Sequence, residues 1–223
     1  MTQLNEKNTA LLLIDLQKES QFGITQIEDI KDKTSELIGV CRKKNVPVIF
    51  TRQINRADNR GLSNGEPLTS EGEPKFYNSS TEHCDILEGI DVREEDLVID
   101  KYRWSAFHET PLDLMLRNMG IKHLIVGGFV TDGCVMTSVF DAYFRDYQIH
   151  LVKDICSTTN EGAHMSSIMI MANWIYDMTI YNSAEMVKRL NNSPYQAWIG
   201  TEPDSLKFTP ETMRTVFNNL DLS

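Results

Sequence analysis

The sequence has few of the features that mark extracellular, membrane-spanning or metal-binding proteins. It contains only four cysteines, and no two of them form a Cys-x-x-Cys pair or a Cys/His cluster with zinc-site spacing. No apolar run approaches the ~20 residues needed to cross a bilayer, and the first residues lack the apolar segment of a secretory signal. We therefore expect a reduced, cytoplasmic protein that needs no cofactor.

Positive charge is also scarce. The chain has 22 Lys and Arg residues against 32 Asp and Glu residues, for a formal net charge of −10 at pH 7. Nucleic acids and anionic membranes are bound through clustered positive charge, so neither is expected as a partner. The acidity itself indicates simple solubility. With 223 residues, 41% of them hydrophobic, the chain can bury the core of one large domain. The partner that we expect is a small-molecule substrate.

Short apolar segments alternate with amphipathic ones along most of the chain. Thr9–Ile14 is a continuous apolar run, which is typical of a parallel strand buried on both faces. Further strands are predicted at residues 48–51, 96–101, from 123, 149–152 and 177–181, with helical patterns between them. This alternation predicts an α/β fold: a three-layer α/β/α, Rossmann-like architecture around a mostly parallel, six-stranded sheet.

The regular alternation ends near residue 190. We therefore divide the chain into a domain over residues 1–190 and a C-terminal extension over residues 191–223. The extension contains Trp198, Phe208 and Phe217, whose apolar rings need cover. It is expected to pack on the domain or on a neighbouring subunit, and we expect a homo-oligomer.

The polar, Gly- and Pro-rich stretch 53–96 separates two strands and is typical of a functional loop. Gln53 and Arg60 lie at its start and are candidate polar contacts to the substrate, and Arg60 would suit a carboxylate. Trp104 and Phe107, which follow the next strand, predict an aromatic lining for the binding pocket. Each of these residues would also be ordinary in a solvated loop or a packed core.

The C-terminal tips of three predicted strands carry groups with reactive chemistry: Asp15, Lys101 and Cys134. The carboxyl ends of parallel strands share one edge of a sheet, so these side chains can converge. Cys134 would lie at a helix N-terminus, which favours the thiolate, and would attack a carbonyl carbon. Asp15 would accept the thiol proton and pass it to the leaving amine, while Lys101 would hold the carboxylate charged and help to stabilise the thiolate. A buried cysteine beside an unrelated ion pair is the alternative explanation of the same pattern.

Three segments in order resemble a known family. They are Leu12-Leu13-Ile14-Asp15-Leu16-Gln17, Lys101-Tyr102-Arg103-Trp104-Ser105-Ala106-Phe107 and Gly128-Phe129-Val130-Thr131-Asp132-Gly133-Cys134-Val135. The sequence is similar to the isochorismatase-like cysteine hydrolases, which include N-carbamoylsarcosine amidase, nicotinamidase and ureidoacrylate amidohydrolase. The resemblance extends from residue 9 to about residue 190.

The resemblance implies that Asp15, Lys101 and Cys134 form a catalytic triad. It also implies a cis peptide bond at Phe129–Val130, although the second residue of this bond is not a proline. In the family, that bond directs the second residue's N–H, here that of Val130, into an oxyanion hole together with the N–H of the cysteine.

The sequence departs from two subfamilies. Nicotinamidases carry an Asp-x-His metal motif after the second strand, whereas this chain has residues 51–56 reading Thr-Arg-Gln-Ile-Asn-Arg, so a metal is not expected. Residues 105–112, together with Gln53 and Arg60, are closer to true isochorismatases. Those vinyl-ether hydrolases, however, have glycine at the position of Cys134.

The first hypothesis is therefore a metal-independent amidohydrolase that cleaves the C–N bond of a small amide, ureido or carbamoyl substrate through a thioester on Cys134. A second is an isochorismatase-type vinyl-ether hydrolase in which Asp15 is the acid and the cysteine is a bystander. A third is a catalytically idle member of the family that serves in binding or assembly.

Overall fold

Within residues 3–221, which the computed structural model describes, seven strands form one sheet. In chain order they are β1 (Thr9–Ile14), β2 (Val48–Gln53), β3 (Leu97–Lys101), β4 (His123–Phe129), β5 (Gln148–Ser157), β6 (Thr179–Tyr181) and β7 (Trp198–Ile199). Their spatial order is β3-β2-β1-β4-β5-β6-β7, and β1 to β6 pair in parallel. The predicted α/β fold is confirmed, but the count of six strands is wrong by one. The additional strand, β7, is two residues long and antiparallel to β6, so no alternating pattern marks it.

Six α-helices cover both faces of the sheet in the described part of the chain. They are α1 (Ile27–Lys43), α2 (Leu112–Asn118), α3 (Met136–Tyr143), α4 (Glu161–Trp174), α5 (Ser183–Leu190) and α6 (Met213–Asn218). Two of them begin at asparagine caps: Asn160 accepts a hydrogen bond from the Ala163 N–H, and Asn182 from the Glu185 N–H. None of the described helices is long and apolar enough to cross a membrane.

The central strand β1 shows how the two faces are divided. Ala10, Leu12 and Ile14 belong to one hydrophobic cluster, which packs under α2, α3 and α4. Leu11 and Leu13 belong to the other, which packs under α1 and α5. Successive side chains of a strand point to opposite faces, so a run apolar at every position requires helices on both sides.

The C-terminal extension packs on the domain of its own chain. Strand β7 pairs with β6, and Trp198, Phe208 and Phe217 pack against the cluster that contains the buried face of α4. Arg214 of α6 forms an ion pair with Glu161 at the start of α4. Part of the apolar cover that these rings need is thus provided within the chain, and the homo-oligomer stays a prediction.

The segment between β2 and β3 is irregular but held at defined points. Asn55 and Tyr77 are joined by a backbone hydrogen bond of 2.8 Å, and Ser79 returns one of 2.9 Å to Asn55. Nearer β3, the Leu87 N–H donates to the carbonyl of Leu16, the second residue after β1. These contacts fold the long loop back over the carboxyl edge of the sheet, where β1 and β2 end.

Candidate active site

Three strand ends bring Asp15, Lys101 and Cys134 together. Asp15 follows β1 directly, and Lys101 is the last residue of β3. Cys134 lies in a single π-helical turn, Thr131–Val135, that joins β4 to α3. Because β1 lies between β2 and β4, and β3 pairs with β2, all three side chains emerge at one edge of the sheet.

Lys101 is the centre of this cluster. Its ammonium lies 2.6 Å from Asp15 Oδ2 and 3.3 Å from Cys134 Sγ, and it donates to Gln53 Oε1 at 3.0 Å. The Lys101 side chain is fully buried, with 0% exposure. An unpaired ammonium there would cost several kcal/mol in desolvation, so these partners are what allow a charged lysine in the core.

The Asp15 carboxylate has a second donor that the sequence did not indicate. Thr51 Oγ1 donates to Asp15 Oδ1 at 2.7 Å, and both side chains are buried. Thr51 occupies this position because β1 and β2 pair with Ile14 opposite Thr51. With Thr51 on one oxygen and Lys101 on the other, the carboxylate is fixed in place as an ionised acceptor.

The protonation state of Cys134 differs from the sequence-based expectation. Burial raises the pKa of the Cys134 thiol well above its ordinary value, and the nearby Asp15 carboxylate raises it further, while Lys101 opposes both. For Lys101, burial disfavours the charge, but Asp15 and Cys134 together keep its pKa above the usual value. Burial therefore disfavours the thiolate that a helix N-terminus alone would favour at Cys134.

The turn before Cys134 is shaped by close packing of β4 on β1. The Phe129–Val130 peptide is cis, as the family resemblance implied. The Val130 carbonyl accepts hydrogen bonds of 3.1 Å from the N–H groups of Gly133 and Val135, which wraps the chain around Cys134. Gly128 has a φ of 124°, and a Cβ there would lie 2.1 Å from the Ile14 carbonyl oxygen. Only glycine allows this approach.

A cavity of about 380 Å³ opens onto Cys134. Its lining combines the catalytic turn, the end of β2, the long loop and the segment after β3. The lining residues are Gln53, Asn55, Ser63, Glu66, Pro67, Phe76, Tyr77, Trp104, Val130, Asp132, Gly133 and Cys134. A larger cavity, of about 500 Å³, lies between α1, α4 and α6, but it contains none of the three clustered residues.

Two of the four residues predicted to contact substrate lie at this cavity, and two do not. Gln53 and Trp104 line it. Arg60 is 85% exposed beside Asp58 on the outside of the loop, so it does not reach the cavity. Phe107 is buried in the core, with its ring 5.8 Å from that of Tyr147. The expectation that these last two side chains line the pocket does not agree with the structure.

The long loop contributes lining residues that the sequence analysis did not single out: Asn55, Glu66, Phe76 and Tyr77. The adjacent aromatic pair in an otherwise polar stretch was the available signal for them. Burial raises the pKa of the Tyr77 phenol, which is within hydrogen-bond distance of Ser20 Oγ at 3.2 Å. Tyr77 therefore faces the site as a neutral phenol.

Gln53 is held in position by a neighbouring glutamine. Gln17 Nε2 donates to the carbonyls of Gln53, at 3.0 Å, and Cys84, at 2.9 Å, and its Oε1 accepts the Gln53 N–H at 2.8 Å. Gln17 thus ties the turn after β1 to the end of β2. Throughout residues 3–221, no group of three or more His, Cys, Asp and Glu side chains is placed to hold a metal ion.

The chain is similar to several known proteins. It is 29% identical to Nicotinamidase 3 of Arabidopsis thaliana over 75% of this chain and 82% of that protein. It is 30% identical to Enterobactin synthase component B of Escherichia coli (strain K12) over 74% of this chain, but the match spans only 58% of that protein. A cysteine hydrolase from Pseudomonas syringae pv. phaseolicola 1448A has the same fold, with a TM-score of 0.76 and 22% identity, covering 86% of this chain and 96% of that one.

The isochorismatase domain family matches residues 9–180, which include β1 to β5, the first two residues of β6 and all three clustered residues. This match agrees with the order of the three sequence motifs and with the arrangement at the carboxyl edge of the sheet. The chain therefore belongs to the isochorismatase family.

Proposed function

We propose that this protein is a metal-independent cysteine amidohydrolase that cleaves the C–N bond of a small amide, ureido or carbamoyl substrate through a thioester. The observation that carries the proposal is the cluster at the cavity floor. Cys134 Sγ lies 3.3 Å from Lys101 Nζ, which in turn lies 2.6 Å from the Asp15 carboxylate. The nucleophile and the acceptor for its proton thus contact the same fixed cation, beside a space for substrate.

In the first step Asp15 removes the proton from the Cys134 thiol as Sγ attacks the substrate carbonyl carbon. The carbonyl electrons move onto the oxygen, which the N–H groups of Val130 and Cys134 would stabilise as an oxyanion hole. Lys101 keeps its charge throughout and stabilises the sulfur as its proton leaves. The raised pKa of the thiol disfavours a free thiolate before this step.

In the second step the tetrahedral intermediate collapses. The oxyanion reforms the carbonyl, the C–N bond breaks, and the proton held by Asp15 passes to the leaving nitrogen, which departs as ammonia or an amine. The acyl group remains on Cys134 as a thioester. Asp15 then deprotonates a water molecule that attacks the thioester, and the proton returns to Cys134 as the acid product is released.

Two features favour C–N hydrolysis over the vinyl-ether reaction. An acid-catalysed vinyl-ether cleavage needs a carboxylic acid that carries a proton, but Asp15 accepts from Thr51 and is paired with Lys101. The vinyl-ether reaction also leaves Cys134 without a role, although this thiol lines the cavity. One relative, Nicotinamidase 3, is named for an amide substrate, which agrees with this choice.

Release of ammonia from a panel of small amides, ureas and carbamoyl compounds tests the proposal. We expect Cys134→Ala to lose turnover by about 10⁴-fold or more, as for other enzymes whose catalytic groups act as a unit. Mass spectrometry of the wild-type protein during turnover should show the acyl adduct on Cys134. Cys41→Ala, a change in a buried thiol of α1, is the matched control and should keep activity.

Undiminished amidase activity in Cys134→Ala would refute the thioester route. Release of pyruvate from isochorismate by Cys134→Gly would instead support the vinyl-ether reaction. A protein that turns over none of these compounds in its wild-type form would support the idle, binding role.

A further inference from the structure

The charges that face the catalytic cavity are of one sign. Glu66 and Asp132 line it, and none of the described residues in its lining is Lys, Arg or His. The nearby ammonium of Lys101 is fully buried and is shared among Asp15, Gln53 and Cys134. A substrate entering this cavity therefore meets negative charge beyond the reacting carbonyl.

Glu66 is held in place by a buried amide. Asn55 Nδ2 donates to Glu66 Oε1 at 2.7 Å and to the Phe76 carbonyl at 3.0 Å. Asn55 is only 4% exposed, and its own backbone is fixed between Tyr77 and Ser79. The carboxylate is thus aimed by a rigid part of the loop, which is what a specific polar contact to a ligand requires.

Glu66 has no cationic partner among the described residues, since no Lys, Arg or His nitrogen of residues 3–221 lies within 4.0 Å of its carboxylate. Asp58, on the same loop, is by contrast paired with Arg56. A partly buried carboxylate without a cation, facing a cavity large enough for a ligand, is suited to a positive group that the ligand brings.

Aromatic rings add to this preference. Tyr77 and Trp104 line the same cavity as Glu66, and ring faces attract cations. Phe76 also lines it, but the exposed Lys75 ammonium already lies 5.4 Å from the centre of that ring. Tyr77 and Trp104 are therefore the rings that could face a bound cation.

We infer that the substrate is a cationic amide, in which a protonated amine or guanidinium group at the end remote from the reacting carbonyl pairs with Glu66. This inference rests on the proposed function, because it places the reacting carbonyl at Cys134. It replaces the earlier expectation of a substrate carboxylate held by Arg60, which lies outside the cavity. Amides with a remote carboxylate would be repelled by Glu66 and Asp132.

Matched amides of equal length provide the test. The cationic series is β-alaninamide, γ-aminobutyramide and δ-aminovaleramide. Butanamide, pentanamide and hexanamide replace the ammonium with a methyl group, and succinamic, glutaramic and adipamic acids replace it with a carboxylate. For the length that fits best, we expect wild-type kcat/KM to be at least about 10-fold higher for the cation than for its methyl isostere, and lowest for the anion.

Glu66→Gln removes the charge but keeps an amide oxygen that can accept from Asn55. In this variant the ratio of kcat/KM for cationic over neutral amide should fall at least about 10-fold, and Glu66→Lys should reverse the order of cation and anion. Glu71→Gln, a change in an exposed carboxylate of the same loop outside the cavity, should leave the ratio unchanged. An unaltered ratio in Glu66→Gln, or a wild-type preference for neutral or anionic amides, overturns the inference.

Binding to Cys134→Ala separates this inference from the proposed function. Calorimetric titration of that variant with the same amides requires no turnover. Tighter binding of the cationic amides, lost with a further Glu66→Gln change, supports the inference even if the wild-type protein hydrolyses none of them. Equal affinities, or no detectable binding of any amide, overturn it.

Discussion

The buried Asp15–Lys101 pair should show strong energetic coupling. The two groups are 2.6 Å apart, with side-chain exposures of 1% and 0%. Lys101→Met leaves a carboxylate uncompensated in the core, and Asp15→Asn leaves an ammonium, so each should destabilise the protein by about 3–5 kcal/mol. With a urea m-value of about 3 kcal/mol/M, a loss of 4 kcal/mol lowers the unfolding midpoint by about 1.3 M.

The double variant, Asp15→Asn with Lys101→Met, tests whether the two charges are energetically coupled. Replacing both charges removes the isolated buried ion, so its loss of stability should be less than the sum of the single losses by at least about 2 kcal/mol. Activity, measured on the same samples, should be absent from all three variants. Arg52→Met breaks the partly exposed Arg52–Asp100 pair between β2 and β3 and should cost about 1 kcal/mol or less. Additive losses in the Asp15 and Lys101 variants would refute the assignment of a tight buried pair.

Two further changes have defined outcomes. Because the pKa of Cys134 is raised, alkylation of the resting protein by iodoacetamide near neutral pH should be slower than that of a small-molecule thiol. Its rate should still rise with pH above about 8.5, the ordinary thiol pKa, where the rate for a small-molecule thiol levels off. Faster labelling at neutral pH would contradict the raised pKa. Gly128→Ala, whose Cβ would lie 2.1 Å from the Ile14 carbonyl oxygen, should cost roughly 3 kcal/mol or more in urea unfolding. Gly39→Ala, in α1 with nothing within 4 Å of the added methyl, should instead stabilise by about 0.5–1 kcal/mol, so equal effects at the two glycines would refute the packing at Gly128.

Much of the fold could be predicted because buried parallel strands are continuous apolar runs in the sequence. Thr9–Ile14 reads as an uninterrupted apolar run, and the structure places β1 at the same residues. Asp15, Lys101 and Cys134 could be grouped because each follows such a run, and parallel strands end at one edge. These signals are local in the sequence, and the topology that joins them is common to sheets with right-handed crossovers.

The remaining parts of the site depend on contacts between distant residues. Thr51 reaches Asp15 through the register of β1 on β2, which no pattern within either strand reveals. Glu66 and Asn55 meet because the long loop folds back on itself through Tyr77, and such a loop has no periodicity to read. The side-chain chemistry of Arg60 and Phe107 suits a substrate contact, but Arg60 lies on a solvent-facing part of the loop and Phe107 is buried in the core.

The raised thiol pKa does not argue against a nucleophilic role for Cys134. Burial penalises ionisation when the proton leaves for bulk water, because a new charge is then created in a poorly solvated place. Transfer to Asp15 is different: a thiol, a carboxylate and an ammonium become a thiolate, a carboxylic acid and an ammonium, and the net charge of the cluster stays zero. The negative charge moves only between two neighbours of Lys101, which lies 3.3 Å from the sulfur and 2.6 Å from the carboxylate. Slow alkylation of the resting protein is therefore expected of an active enzyme of this design, and turnover rather than thiol reactivity distinguishes it from an idle member of the family.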